Sequence, residues 1–341
     1  MKFQSGISVV VCAHNSADLI QRTLECLKNQ EFDGAYELIF VDNNSTDRTF
    51  EIVTKWIESN DPLNFEFSAF KESNPGKTYA QDLGFSKAKF KYLLVCDDDN
   101  FLSPNYLQTA FDYLENHPNA GILGGQGRGV SDVDLPDWFD SFYRSYATGP
   151  QGKATGDITN EQYFVYGAGS VIRNQPWQEM VAGGVKRVLN SVQGKIRTCG
   201  EDHEMGFLMV AGGYQIHFHH ELEFDHFIKK EKLSLFYLKQ LKRGYATSYE
   251  TFMVYKELVD CRIRKKWTII KDLIVCVIRV VWLTLKGPIY GMNNKNRIMA
   301  LTFYSVRAKH IISILPHYEV FSKKMEQNIL KARCSTQYSH S

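Results

Sequence analysis

Tyr92-Leu93-Leu94-Val95-Cys96-Asp97-Asp98-Asp99-Asn100 is an apolar run, short enough for a buried strand, that stops at three adjacent carboxylates. Holding like charges together is costly: at about 4 Å and an effective dielectric of about 20, two of them repel by roughly 4 kcal/mol. A divalent cation removes that cost, because hard oxygen ligands suit Mg2+ and Mn2+. Alternate residues of a strand point the same way, so Asp97 and Asp99 are the pair expected to share an ion, with Asp98 turned away. The competing reading is an acidic turn in which Asp-Asp-Asn caps the helix after Ser103-Pro104.

The segments around this stretch alternate between strand and helix. Ile7 to Cys12 is a nearly continuous apolar, β-branched run, as a strand buried on both faces requires. Ser16 then caps a helix expected over 17–29, and Glu37 to Val41 forms a second strand ending in Asp42. Asn43 to Asp47 supplies a turn and cap before a helix through about Glu58, and a third strand is expected over 65–70. Asn74-Pro75-Gly76-Lys77 opens a helix to about Lys89, leading into the acidic strand. A helix is expected over 104–116 with Pro104 in its first position, then a short strand, Ile122-Leu123, closed by Gly124-Gly125. Such alternation means a mostly parallel sheet covered by helices on both faces, with ligands bound beyond the carboxyl ends of the strands. His14, Asn15, Asp42 and Asp97 to Asp99 all sit at those ends, which points to one site.

Beyond about residue 125 the pattern loosens. Residues 126–160 are rich in glycine and polar groups, with Trp138, Phe139, Phe142, Tyr143 and Tyr146 interspersed. They read as a long loop packed partly on its own aromatics and partly offering a sugar-contacting surface. Tyr163 to Ile172 reads as a strand interrupted by Gly167 and Gly169, and Gly200-Glu201-Asp202 opens a helix to Ala211. Two further strands are expected, near 215–218 and over 222–226.

The 341 residues are 44% hydrophobic and 23% charged, ordinary for a globular protein, and the net charge of +2 conceals a division. From Lys229 onward there are 22 Lys and Arg against 7 Asp and Glu, whereas residues 1–228 hold 18 against 31. A basic C-terminal region of this kind suits an anionic surface. Within it Leu273 to Leu285 is apolar apart from Arg279, shorter than the roughly 20 residues of a bilayer span. Two readings remain for residues 268–286: a core helix with one wet edge, or an interfacial helix. The preceding Arg262, Arg264, Lys265, Lys266 and Trp267 favour the second. The end from Ser335 is expected to be disordered. Seven cysteines without CxxC spacing indicate neither a disulfide framework nor a zinc site, and a strand beginning within six residues leaves no room for a signal peptide. The expected setting is cytoplasmic, peripheral on the cytoplasmic face of the membrane.

Taken together, these residues resemble the family 2 glycosyltransferases, which have the GT-A fold. The resemblance covers roughly residues 5–228 and rests on Ala13-His14-Asn15, the Leu27-Lys28-Asn29-Gln30 helix end and Val41-Asp42-Asn43-Asn44-Ser45-Thr46-Asp47. It also includes Gly76 with Ala80 and Gly84, Asp97-Asp98-Asp99, and Gly200-Glu201-Asp202. The chain departs from the family where Ala13-His14 replaces Pro-Tyr, where Asp82 stands for the usual Asn, and where Asn100 follows the acidic triplet. The resemblance implies an α/β fold with a GT-A domain over 1–228, a nucleotide half at 1–125 and an acceptor half at 126–228. A helical, basic region over 229–334 and a tail at 335–341 complete the expected organisation. It implies an inverting hexosyl- or N-acetylhexosaminyl-transferase using a nucleotide-diphosphate sugar, usually UDP-linked, with Mn2+ or Mg2+, on a glycan or lipid-linked acceptor of a surface polysaccharide.

Residue by residue, the resemblance gives the nucleotide-sugar to Ala13, His14, Asn15, Asp42, Asn44, Asp97 and Asp98, and the metal to Asp97 and Asp99. His226 is a third ligand in the same analogy, the alternative being a structural histidine. Lys77 either adds charge near the phosphates or is an exposed helix-start lysine. Asp202 is the expected general base, because inversion needs one carboxylate that takes the acceptor proton as the hydroxyl attacks; its alternative is a helix cap. Glu201 is expected to orient it or to bind acceptor. A sugar nucleotidyltransferase can share such a sheet and acidic site, but its Gly-rich, basic N-terminal loop has no counterpart in Ala13 to Ala17. The non-enzyme alternative, a basic-tail nucleic-acid-binding protein, is opposed by the acidic first two-thirds and the lack of a nucleic-acid motif.

Overall fold

The Ile7–Cys12 run lies at the centre of the protein, every residue of it buried, and its one hydroxyl is satisfied by donation from Ser8 Oγ to Glu37 Oε1 at 2.7 Å. The structure, a computed structural model, describes residues 3–60, 62–190, 192–193, 196–285 and 293–336. Strand β1 (Gln4–Ala13), helix α1 (Ile20–Lys28), β2 (Tyr36–Asn43), α2 (Thr49–Asn60), β3 (Glu66–Glu72), α3 (Lys77–Lys87) and β4 (Phe90–Asp97) alternate as the apolar pattern requires. β1 pairs in parallel with β2 and β4, and β2 with β3. Ala13 is in register with Asp42, and Cys12 with Asp97, so the three loops leave the sheet at one level.

β5 (Asn100–Leu102), α4 (Tyr106–Asn116), β6 (Ala120–Val130), β7 (Gly156–Asp157), β8 (Val171–Arg173) and α5 (Asn174–Ala182) follow. A small hairpin of β9 (Val192–Gln193) and β10 (Ile196–Arg197) then leads to α6 (Glu201–Ala211) and β11 (Gln215–Phe227). Among the described residues the main sheet runs β3-β2-β1-β4-β8-β6-β11-β5, with β7 beside β11. β8 is antiparallel to β4 and β6, and β5 and β7 are antiparallel to β11, so the sheet is mostly parallel but mixed.

Several element boundaries differ from expectation. α1 starts at Ile20 rather than residue 17: the backbone N–H groups of Leu19 and Ile20 close a turn on Ser16 O, while Ser16 N donates to Thr49 Oγ1. Pro104 stays in the turn before α4, whose first helical residue is Tyr106. The Gly124-Gly125 pair does not close a strand; β6 continues to Val130, because the missing side chains let Leu222 and Val165 pack against its backbone. The two strands expected over 215–226 are one strand, broken in register between Phe218 and Glu223. Only Val171 and Ile172 of the expected 163–172 strand lie in β8, which continues to Arg173.

The basic third forms α7 (Leu235–Val259), α8 (Lys266–Leu285), α9 (Asn294–Ile314) and α10 (Tyr318–Thr336). Phe252, Tyr255, Ile269, Ile311, Met325 and Ile329 from these helices share one apolar core with Val10, Val95 and Leu208 of the sheet layers. Ser335 and Thr336 end α10 rather than a disordered tail, and 337–341 lie outside the described residues. Arg264 is not part of an exposed basic cluster. It is buried, held by Glu257 at 2.6 Å and by Asp272, and with Arg307 it meets the fully buried Glu250. α8 turns apolar side chains outward, with Trp267, Ile270, Ile274, Ile278, Val281 and Leu285 all exposed. Asn294–Thr336 is long and apolar enough to cross a membrane by length and composition, but core helices pass the same test and α9 and α10 supply Ile311, Met325 and Ile329 to the core.

Candidate active site

Beyond the ends of β1, β2 and β4 lies a cavity of about 430 Å³. Ala13, His14, Asn43, Gly76, Lys77 and all three aspartates of the acidic turn contribute to its wall. His226 from the end of β11 and Tyr237, Gln240, Leu241 and Gly244 from α7 complete it. Two glycines shape the approach. Gly76 has φ +129°, its N–H donates to Asn43 Oδ1 at 2.8 Å, and a Cβ there would strike the Asn190 side chain. Gly200 has φ +106°, and a Cβ there would lie 2.3 Å from the Phe252 ring; only glycine begins α6 in this position and aims Glu201 and Asp202.

The three aspartates do different things. Asp97 Oδ1 lies 2.5 Å from Lys77 Nζ, a largely buried pair that excludes the exposed-lysine reading. Asp98 Oδ2 accepts weakly from His14 N at 3.4 Å; burial, then the neighbouring Asp99 charge, pushes its carboxyl up. Asp99 Oδ2 accepts from Lys232 Nζ at 3.0 Å, and its Oδ1 lies 3.5 Å from His226 Nε2. Burial pushes the Asp99 carboxyl up, but His226 and Lys232 outweigh it and hold it well below the ordinary carboxylate range.

The donor chemistry fits a hard divalent cation in part. Two neighbouring ligands of one octahedral ion lie about 3 Å apart, and Asp99 Oδ1 and His226 Nε2 approach that separation at 3.5 Å. No group of three His, Cys, Asp or Glu side chains is gathered to hold an ion among the described residues, since Asp97 is turned to Lys77. One or two protein ligands completed by substrate phosphates is the usual arrangement for Mg2+.

A second cavity, of about 400 Å³, shares Cys199 and Leu241 with the first. Asp202, His203, Phe164, Tyr166, Arg144, Lys242 and Tyr245 line it. Asp202 Oδ1 accepts from His203 N and faces His203 Nδ1, both at 2.8 Å, and Oδ2 accepts from Gly167 N at 3.3 Å. Burial raises the Asp202 carboxyl, but the His203 ring and its hydrogen bonds more than offset that and leave it lowered. His203 is itself fixed between Phe164 and Phe252, with ring centroids 3.4 and 4.4 Å away. Glu201 is on neither wall; its Oε2 is buried without a partner, and burial and the Asp202 charge raise its carboxyl.

Asn15, Asp42 and Asn44 do not reach the first cavity's wall. Asn15 Oδ1 accepts from Thr46 N at 2.8 Å and so ties the β1 loop to the β2 loop. Asp42 is buried with Oδ1 unpartnered, and Asn44 is exposed with φ 56°. Sequence reasoning missed Lys232, His203 and the α7 face. Tyr237, Gln240, Leu241 and Gly244 fall at i, i+3, i+4 and i+7, a helical face legible in the sequence once α7 is taken to pack on the site.

The model of the family described as glycosyl transferase family 2 matches residues 8–180. Over 135 residues the chain is 30% identical to the poly(ribitol-phosphate) beta-N-acetylglucosaminyltransferase TarS of Staphylococcus aureus strain Mu50, covering 38% of this chain and 22% of that protein. It is 29% identical over 119 residues to chondroitin synthase of Escherichia coli, covering 35% and 17%. The chain thus spans about a fifth of the length of these two curated relatives. Among solved structures, the mannosyltransferase PcManGT from Pyrobaculum calidifontis in complex with GDP-Man and Mn2+ matches with a TM-score of 0.54 at 14% identity, over 99% of this chain and 89% of that one. S. aureus TarS 1–349 in complex with UDP-GlcNAc matches with a TM-score of 0.50 at 17% identity, over 98% and 91%. At these identities the likeness is one of fold.

Proposed function

The chain belongs to glycosyl transferase family 2, and from that premise we propose that it is an inverting transferase carrying a sugar from a UDP-sugar to a glycan or lipid-linked acceptor in surface-polymer synthesis. The observation that carries this reading is the pair of adjoining cavities, one holding the acidic turn with Lys77 and the other Asp202, which meet at Cys199 and Leu241. A Cβ on Gly167 would have Asp202 Cβ at 3.6 Å and Lys77 Nζ at 3.9 Å as its neighbours. Family likeness to TarS, seen with UDP-GlcNAc, supports the donor class.

In this reading the first cavity takes the nucleotide diphosphate and the second the acceptor. Asp202 takes the proton from the acceptor hydroxyl as the new O–C1 bond forms. The bond from C1 to the diphosphate breaks with its electron pair leaving on the phosphate oxygen. Lys77 and Lys232 place two positive charges beside that departing charge. Asp99 and His226 would hold Mn2+ or Mg2+, which when bound supplies Lewis-acid stabilisation of the leaving diphosphate. His203 holds Asp202 deprotonated and oriented.

We assign the outward apolar face of α8, bordered by exposed Arg262, Lys265, Lys266, Lys271 and Arg279, to an anionic membrane surface, which would keep the chain beside a lipid-linked acceptor. A thermal-shift series with nucleotide sugars, with and without Mn2+, tests the donor reading. Stabilisation by a UDP-sugar that increases with Mn2+ is expected; a chain indifferent to every nucleotide sugar is not a transferase of this kind.

A further inference from the structure

The second cavity holds cationic groups for which the proposed reaction has no role. Lys242, from α7, stands half-buried in its wall, and among the described residues no carboxylate lies within ion-pair distance of it. Its Nζ lies 5.7 Å from the centre of the Phe142 ring. Burial draws its pKa down, the sign of an ammonium ion short of both water and counter-ion. Arg144, exposed at the rim of the same cavity, has a hydrogen bond from Nε to Tyr143 Oη at 3.3 Å and, among the described residues, no carboxylate partner. The lysines of the first cavity differ, since Lys77 is paired with Asp97 and Lys232 with Asp99. The one carboxylate of the second cavity, Asp202, is already engaged by His203 and Gly167.

A cation withdrawn from water without a partner is destabilising, and it is tolerated where a ligand supplies the missing charge. Phe164, Tyr166 and Tyr245 give the rest of the cavity flat apolar faces suited to a sugar ring or polyol. We infer that the acceptor carries an oxyanion, a phosphodiester or a carboxylate, beside the hydroxyl that is glycosylated, and that Lys242 and Arg144 receive it. This rests on the second cavity being the acceptor site. The anionic group undergoes no bond change: the hydroxyl proton goes to Asp202, and the oxyanion fixes which hydroxyl faces that carboxylate. The arrangement also separates charges by role, with the diphosphate met by Lys77 and Lys232 and the acceptor anion by Lys242 and Arg144.

The full chain can be tested with acceptors that differ only in charge. One pair is a polyol phosphodiester and its neutral methyl phosphotriester; the other is a glucuronate-terminated disaccharide and its methyl ester. The expected result is a preference of at least about tenfold in kcat/KM for the charged member of one pair, the size of one charge-assisted contact. Which pair shows it tells phosphate from carboxylate. Lys242→Gln and Arg144→Gln should each erase most of that preference through KM, and Lys242→Arg should restore it. Equal use of neutral and charged acceptors, or a preference that survives in Lys242→Gln, overturns the inference. If neither pair accepts sugar, the nucleotide-bound protein is melted with inorganic phosphate, glucuronate and methyl glucoside. Stabilisation by an anion over methyl glucoside, lost in Lys242→Gln, supports the inference, and its absence in the wild type refutes it. Failure of every nucleotide sugar to bind, with the anion effect intact, would strike the donor reading instead.

Discussion

Lys77 Nζ sits 2.5 Å from Asp97 Oδ1 and is also a positive charge acting on Glu201, so one ammonium group links the acidic turn to the start of α6, the helix that carries Asp202. Burial lowers the Lys77 pKa, but Asp97 and Glu201 outweigh it and keep the group charged. Lys77→Met leaves both carboxylates without their shared cation. Transfer should fall by roughly a hundredfold, the cost of removing one preorganised electrostatic group, and Tm should drop as well. Steady-state kinetics beside a melting curve measure both, and an unchanged kcat would remove Lys77 from the site.

Asp202→Asn keeps the shape of the side chain and loses its basicity. The variant should retain nucleotide-sugar binding in a melting assay and lose transfer by roughly a thousandfold, within the range of general-base catalysis. Full transfer activity would mean that another group takes the acceptor proton.

The pH dependence turns on His203. Burial alone would raise the Asp202 carboxyl; the His203 ring and its two contacts bring it below the ordinary value. A base works deprotonated, so with a lowered pKa activity is retained at neutral pH and lost only as pH falls below about 3.9, the unperturbed value. His203→Phe keeps a ring between Phe164 and Phe252 and the backbone N–H bond to Asp202, but removes the ring's charge and hydrogen bond, so the Asp202 carboxyl rises. The acid limb of the kcat/KM profile should then move to higher pH. A fall in rate with no movement of that limb would make His203 a packing residue only.

The first four strands and their helices were legible because their signals are local. Ile7–Cys12 can hardly be anything but a two-sided buried strand, and three strands of matched length bring Ala13, Asn43 and Asp97 to one level. Gly76 and Gly200 announced sharp entries into helices that carry Lys77 and Asp202. What was not legible depends on distant packing. Lys232 is 133 residues from its partner Asp99 and reads in sequence as one more lysine of a basic stretch. Arg264 looked like part of an exposed cluster because Glu250, Glu257 and Asp272, which bury it, belong to two different helices. His203 gave no periodic signal, and its meaning comes from two phenylalanines on separate elements.

The buried ions of the C-terminal helices give a stability prediction. Glu250 on α7 is fully buried and receives Arg307 Nε at 2.7 Å, with Arg264 Nη2 at 3.4 Å. Removing Glu250 takes the one fully buried carboxylate from two arginines that keep only Asp272 and Glu257, at a cost near the low end of a broken buried pair, about 3 kcal/mol. Glu250→Ala should lose that much in urea unfolding. Because α7 also carries Tyr237, Gln240 and Leu241 of the first cavity, nucleotide binding should weaken in the same variant. Stability within about 0.5 kcal/mol of wild type, the usual range of a surface change, would show that the network contributes nothing net.

Helix α8 has two unlike faces. Its inner face is accounted for, since Ile269, Cys276 and Leu283 are buried and Asp272 is drawn into the arginine network. The outer face presents Trp267, Ile274, Ile278 and Val281 at near-helical spacing, with Lys271 Nζ lying 3.8 Å over the Trp267 ring. Apolar side chains of this kind partition into the headgroup boundary when basic neighbours bring the helix to anionic lipid, each such residue adding about 1 kcal/mol. The protein should float with vesicles containing phosphatidylserine or phosphatidylglycerol and much less with phosphatidylcholine alone. Serine at 267, 274 and 278 should abolish flotation on both while the nucleotide melting shift persists, because none of the three lines either cavity. Flotation that survives those serines would place the membrane contact elsewhere. Binding indifferent to lipid charge would leave the apolar face without a role for Arg262, Lys265 and Lys266 beside it.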